Sequence, residues 1–138
     1  AYNAPEGTAD MLPAAARVAL DVDSAAKLFG TYGYEPIYTP LFEITDVFTH
    51  GIGEATDVVG KEMFVVRSGE NYKRALAEGD DSKLKSKQKL RFAEGTAGVV
   101  RAVVQHNLVE QGAAPAKLFY AGPMFRAERP QKGRLRQF

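Results

Sequence analysis

The chain has 138 residues, 45% hydrophobic and 25% charged, with a formal net charge of +1, so it is ordinary globular material whose total charge does not advertise nucleic-acid binding. With no cysteine and only His50 and His106, it has no disulfide, thiolate nucleophile or Cys-ligated zinc, and no metal site is expected. It has no apolar run long enough to span a bilayer and no basic region followed by an apolar core at its start, so a soluble cytoplasmic protein without membrane contact is expected.

The stretch GTADMLP, Gly7 to Pro13, reads as a loop entering a helix, with Pro13 in the first turn and Asp10 offering capping oxygens. From Ala14, Val18, Val22, Ala25 and Phe29 recur at helical spacing, and Gly30 is placed to end the helix. That stripe belongs to a core or to a subunit interface. Tyr32 to Glu43 is extended but interrupted by Pro36 and Pro40, which remove ladder donors and point to an edge or interface strand. His50 to Val66 begins as a Gly-rich loop and ends as a strand. Gly51-Ile52-Gly53 invites comparison with a phosphate cradle, although neither a dinucleotide fingerprint nor a P-loop follows it.

Residues 68–89 form a charge-rich insert in which Lys83, Lys85, Lys87 and Lys89 alternate. Two readings stand: a solvated hairpin, or a basic stripe facing nucleic acid. Next, Thr96 is a candidate N-cap, Val100, Val104 and Leu108 a buried stripe, and Gly112 a helix end. Glu94 in this context reads as a carboxylate favouring the helix N-terminus. His106 is a surface or core side chain rather than a base. Lys117 to Glu128 is a strand, a Gly-Pro break and a second strand.

The last fourteen residues, FRAERPQKGRLRQF, place five cations (Arg126, Arg129, Lys132, Arg134, Arg136) around Glu128. FRAE and RLRQF alternate like strands, and Pro130 and Gly133 mark the turn of a hairpin. Parity puts Arg126, Glu128, Arg134 and Arg136 on one surface with the loop cations at its rim. Guanidinium groups held this way suit bidentate binding of phosphate or carboxylate. The plain alternative is a solvated basic hairpin.

This wording resembles motif 2 of class II aminoacyl-tRNA synthetases, in the form typical of histidyl-tRNA synthetases. The resemblance implies that Arg126 holds the α-phosphate of ATP and the histidine carboxylate, and that Glu128 lies near the adenine. By the same likeness Phe138 stacks on the adenine, and Arg134 and Arg136 lie near the nucleotide phosphates. The loop residues Arg129, Gln131 and Lys132 would meet the tRNA acceptor end. The long helix and Pro-bearing strand resemble motif 1, with Pro40 at its proline, implying a homodimer interface. HGIGEATDVVGKEMF resembles the block after motif 1, where Asp57, Lys61 and Glu62 match and imply a bracing role. Glu94-Gly95-Thr96 is similar to the family's L-R-P-E-G-T block, with Phe92-Ala93 in place of the single proline. There Glu94 and Thr96 would recognise the amino group and side chain of histidine.

The implied fold is α/β (α+β), a mostly antiparallel sheet flanked by helices and present only in part. The implied function is a histidine–tRNA ligase using ATP and Mg2+. Its partners would be histidine, tRNA(His) and a second subunit. The end at Phe138, on a strand-like segment, is read as a cut, making residues 1–138 the N-terminal part of the catalytic domain and inactive alone. Two alternatives remain: the histidine-sensing regulatory subunit of ATP phosphoribosyltransferase, and a basic nucleic-acid-binding domain.

Overall fold

A computed structural model describes residues 3–19, 21–52, 62–66, 69, 73, 77, 90–92 and 94–138. The helical spacing after Ala14 predicts one helix, and the structure has two: α1 (Pro13–Ala19) and α2 (Val22–Thr31). Asp21 makes the break. Its carboxylate accepts the Ser24 N–H at 3.2 Å and so starts a new helix. The second helix passes Gly30 and ends at Thr31, and Gly33, at φ +77°, reverses the chain. Neither helix has a buried residue, and Val18 is 80% exposed. The stripe is therefore covered unevenly: Val18 stands open, Val22 and Ala25 are half-buried, and Phe29 packs within the chain.

After the helices come β1 (Glu35–Pro36), β2 (Phe42–Ile44), α3 (Thr45–Ile52), β3 (Phe64–Val66), β4 (Leu90–Phe92), α4 (Thr96–Gln105) and β5 (Leu118–Phe119). β1 pairs in parallel with β5, and Phe29 of α2 packs on Phe119 with ring centroids 5.3 Å apart. β2, β4 and β3 form an antiparallel sheet in that order, with Phe42, Phe92 and Phe64 in one register row. The Phe92 ring meets Phe42 edge-on at 6.1 Å and Phe125 at 5.1 Å, which ties this sheet to the start of the final hairpin.

Three sequence expectations change here. His50 and Gly51 lie in α3 rather than a loop, and Gly53 and Asp57–Lys61 lie outside the described residues. The insert at 68–89 also lies outside them, apart from Gly69, Lys73 and Ala77. In α4 the cap position is Gly95, with no side-chain cap bond, so Thr96 is the first helical residue and not the N-cap. The helix ends at Gln105, well short of Gly112, where Asn107 turns left-handed at φ 50°.

The buried face of α4 is likewise not the predicted one. Gly98 and Ala102 are buried, whereas Val100, Val104 and Leu108 are exposed. The small residues explain the difference. A Cβ on Gly98 would stand 3.2 Å from Thr39 Oγ1, so its absence lets the helix lie close to the strand leading into β2. Arg101 Nε then bonds Glu43 Oε2 at 2.8 Å and fixes the docking. Phe48, Met63 and Ala102 are the buried apolar centre among the described residues. Helices thus flank a mainly antiparallel sheet, and the Glu94 end of α4 faces the final hairpin.

Candidate nucleotide and amino-acid site

The final segment folds back into a hairpin, but in place of the two predicted strands it makes isolated bridges, Phe125 to Gln137 and Gln131 to Arg134, with a bulge between them. Met124 and Phe138 exchange backbone bonds of 2.8 and 3.0 Å, and Arg126 N–H donates to Arg136 O at 2.8 Å. At the other end Gln131 and Arg134 exchange bonds of 3.2 and 2.9 Å around Lys132-Gly133, with Gly133 at φ +79°. Between these paired zones, Ala127 to Pro130 on one strand oppose only Leu135 on the other. A bulge of this kind breaks strict parity and re-aims side chains.

The consequence is specific. Arg126, Glu128, Arg129, Arg134 and Phe138 line an open cleft of about 390 Å³. Arg136 is not among them. Its Nε donates to the Glu128 carbonyl at 3.1 Å, and its Nη1 lies 3.4 Å from the Glu6 carbonyl and 3.9 Å from the Glu6 carboxylate. Gln131 and Lys132 are exposed at the turn.

Arg126 is the hub. Its guanidinium is ion-paired with Glu94 and lies over the Phe138 ring, 5.8 Å from the centroid. The adjoining Ala127 N–H donates to the Glu62 carbonyl at 2.7 Å, which joins the hairpin to the segment entering β3. Glu62 lies beside Glu128, whose carboxyl can accept from a protonated Glu62; that contact, with some desolvation and the repulsion between the two, holds Glu62 above the ordinary carboxylate value, while Arg126 opposes the rise. Glu94 in turn raises Arg126, which stays cationic at any working pH.

The Arg126 and Glu94 side chains are 38% and 49% exposed. A pair that open is held weakly, so incoming charged groups can replace either partner. A phosphate or carboxylate fits the guanidinium fork, and an ammonium fits the freed carboxylate. Gly95 is confined beside them: a Cβ there would be 2.8 Å from the Tyr120 ring. Thr96 Oγ1 bonds the Tyr120 hydroxyl at 2.7 Å. Glu94 also borders two further clefts, one of about 310 Å³ with Tyr120 and Met124, the other of about 900 Å³ with Val100, Val104 and Phe125.

A model of the family described as histidyl-tRNA synthetase matches residues 7–138. The chain belongs to the histidyl-tRNA synthetase family. Across its whole length it is 45% identical to the histidine–tRNA ligase of Geobacillus thermodenitrificans (strain NG80-2), of which it spans 29%. The apo histidyl-tRNA synthetase of S. aureus matches 94% of this chain and 27% of its own at 29% identity, with a TM-score of 0.62. An ATP phosphoribosyltransferase regulatory subunit/histidyl-tRNA synthetase from Bacillus halodurans C matches 99% of this chain and 30% of its own. That last likeness, at 20% identity and a TM-score of 0.64, is one of fold alone.

Among family-matched positions, Glu94, Arg126, Glu128 and Phe138 come together around one cleft system, with Arg129 and Arg134 at its hairpin side. Sequence reasoning missed the carboxyl of Glu62 as a partner of Glu128, and Tyr120 as the partner of Thr96. Only the K-E-M-F wording around Glu62 carried any signal, because neither Tyr120 nor the spacing to Thr96 has a local pattern.

Proposed function

We propose that this chain is the motif 1 and motif 2 part of the catalytic domain of a cytoplasmic histidine–tRNA ligase. The observation that carries this reading is the convergence of Arg126, Glu94 and Phe138, drawn from two motifs and paired in space. Arg126 would leave Glu94 to grip both the α-phosphate of ATP and the histidine carboxylate. Glu94 would take the histidine ammonium, with Thr96 toward its side chain. Phe138 would stack on the adenine near Glu128, with Arg134 beside the phosphates and Arg136 adding charge from behind.

The histidine carboxylate oxygen then bonds the α-phosphorus, the bond from that phosphorus to the α–β bridging oxygen breaks, and pyrophosphate leaves carrying the bridging oxygen. A ribose hydroxyl of tRNA(His) next attacks the acyl carbon, the bond from that carbon to the phosphate oxygen breaks, and AMP leaves with the hydroxyl proton passing to its phosphate. Neither step needs a strong protein base. The contribution of this chain is position and charge at the α-phosphorus, where one donor of this kind is worth on the order of 3 kcal/mol. Arg129, Gln131 and Lys132 at the turn would meet the tRNA acceptor end. A Mg2+ brought in with ATP would supply positive charge against the charge developing on the phosphates. Glu128 and the neighbouring Glu62 would be the carboxylates available to hold it, since an ion of this kind needs only one or two from the protein. Among the described residues no three His, Cys, Asp or Glu side chains are grouped to hold a metal by themselves.

The exposed Val18 and Leu28 on α1 and α2 support a homodimer through the motif 1 region. Among the described residues no helix is long and apolar enough to cross a membrane. The second reading carried from the sequence, a histidine-sensing regulatory subunit, shares this fold. The test is ATP–pyrophosphate exchange by the full-length protein with each amino acid in turn, followed by charging of tRNA(His). Exchange dependent on histidine alone is expected. Histidine binding with neither exchange nor charging would move the assignment to the regulator.

A further inference from the structure

The N-terminal loop reads from sequence only as a lead into α1, yet it is bound to the far side of the hairpin. Pro5 to Thr8 is a tight turn in which the Thr8 N–H and hydroxyl both donate to the Pro5 carbonyl, at 3.0 and 2.7 Å. Gly7 sits at φ +80°, and its carbonyl accepts the Arg136 N–H at 2.6 Å. A Cβ on Gly7 would stand 2.7 Å from Arg136 Cγ and 3.0 Å from Pro130 Cγ. The Glu6 carbonyl lies 3.4 Å from Arg136 Nη1.

These contacts fall where the hairpin is least supported by its own pairing. Ala127 to Pro130 form the bulge, Arg136 is the last paired residue before it on the return strand, and the turn touches both Pro130 and Arg136. A bulged two-stranded ribbon has no ladder to hold its register there. An outside backbone acceptor supplies what the ladder lacks.

We infer that Pro5–Thr8 is a positioning strap for the nucleotide side of the site, acting through Gly7 on Arg136 and Pro130. It touches no substrate. Its effect is to hold the bulge, and with it Glu128, Arg129 and Arg134, in the shape that lines the 390 Å³ cleft. Gly7 is required twice, by its positive φ and by the close approach of the Arg136 stem. The inference rests on the nucleotide reading of that cleft given above.

The test uses the full-length protein and histidine-dependent exchange, with Gly7→Ala and Gly7→Asn made alone and in an Arg136→Ala background. KM for ATP is expected to rise on the order of tenfold in Gly7→Ala, as for a catalytic group displaced by a fraction of an ångström, with KM for histidine unchanged. Asn tolerates positive φ, so rescue by Gly7→Asn would reduce the effect to backbone strain and overturn the role of the contact. In the Arg136→Ala background, Gly7→Ala is expected to add little. A full extra penalty there would also overturn the inference, as would a wild-type KM for ATP in Gly7→Ala. Should Gly7→Ala fail to fold, removal of the chain through Thr8 makes the same test, with the same rise expected and an unchanged KM contradicting it. Absence of exchange in the wild type would instead defeat the functional reading. The strap is then judged by hydrogen exchange, where its removal must expose the Arg136 amide and continued protection would refute it.

Discussion

The hairpin Phe125–Phe138 and the helices α1 and α2 are both largely exposed, but their surfaces are of opposite kinds. The hairpin presents charged groups and an aromatic ring: Arg126 ion-paired with Glu94, the carboxyl of Glu128 crowded by that of Glu62, and Phe138 against the guanidinium. Its backbone is tied on two sides, to Glu62 through Ala127 and to Gly7 through Arg136. The helices present Val18, Leu28 and Phe29 with no buried residue, and Phe29 alone of these packs on a strand-borne ring, that of Phe119. Charged groups prearranged around open space favour a small charged ligand, which can replace contacts already made. Apolar groups left in water favour a protein surface, which removes them from it. The difference supports the ligand role proposed for one region and the homodimer role proposed for the other.

The largest expected effect is at the hub of the charged region. Arg126→Ala in the full-length protein is expected to lower histidine-dependent exchange by on the order of 10²–10³-fold, the cost of one preorganised donor. Its thermal midpoint should stay near wild type, because a side chain this exposed buries little apolar area. Arg126→Lys should recover little, since an ammonium cannot span two oxygens in a fork.

The apolar region should respond in assembly. Leu28→Glu is expected to weaken the full-length dimer on the order of tenfold or more, seen by light scattering across a dilution series. An unchanged dimer would move the interface away from α2 and erase half of the contrast. A smaller effect is expected at the hairpin turn. Lys132→Ala should spare exchange, weaken tRNA charging and lower the salt slope of tRNA binding by about 1.

The mildest test concerns Glu62, whose folded pKa is raised above 4.5 mainly by its bond with Glu128. A carboxyl raised in this way stabilises the fold below its unfolded pKa and loses that contribution as pH rises through the folded value. Glu62→Gln is therefore expected to be slightly more stable than wild type above that range, with the advantage shrinking as pH falls toward 4.5. Thermal unfolding between pH 4 and 8 reads this, and a difference independent of pH would remove the Glu62–Glu128 bond from the account.

What was legible in the sequence was local. Alternation and Gly133 announced the hairpin, although Pro130, also read as a turn residue, falls in the bulge; Pro13 announced a helix start, and motif wording singled out Glu94 and Arg126 although 32 residues separate them. What was not legible depends on distant partners. The bulge at Ala127–Pro130 has no sequence signature, and it is what turns Arg136 away from the cleft shared by Arg126 and Arg134. The valines of α4 looked like its buried face, but Gly98 and Ala102 let the opposite face lie against Thr39 and Glu43. Asp21 splits one expected helix into two, because a cap residue inside an apolar period overrides the period.

The central claim is that Arg126 and Glu94 form one site that takes histidine and nucleotide together. The most direct measurement is calorimetric titration of the full-length protein with a non-hydrolysable histidyl-adenylate analogue, comparing wild type with Arg126→Ala and Glu94→Gln. Saturable binding by the wild type is expected, with an affinity loss on the order of 10²-fold or more in Arg126→Ala and a smaller loss in Glu94→Gln. Equal affinity in wild type and Arg126→Ala would contradict the claim.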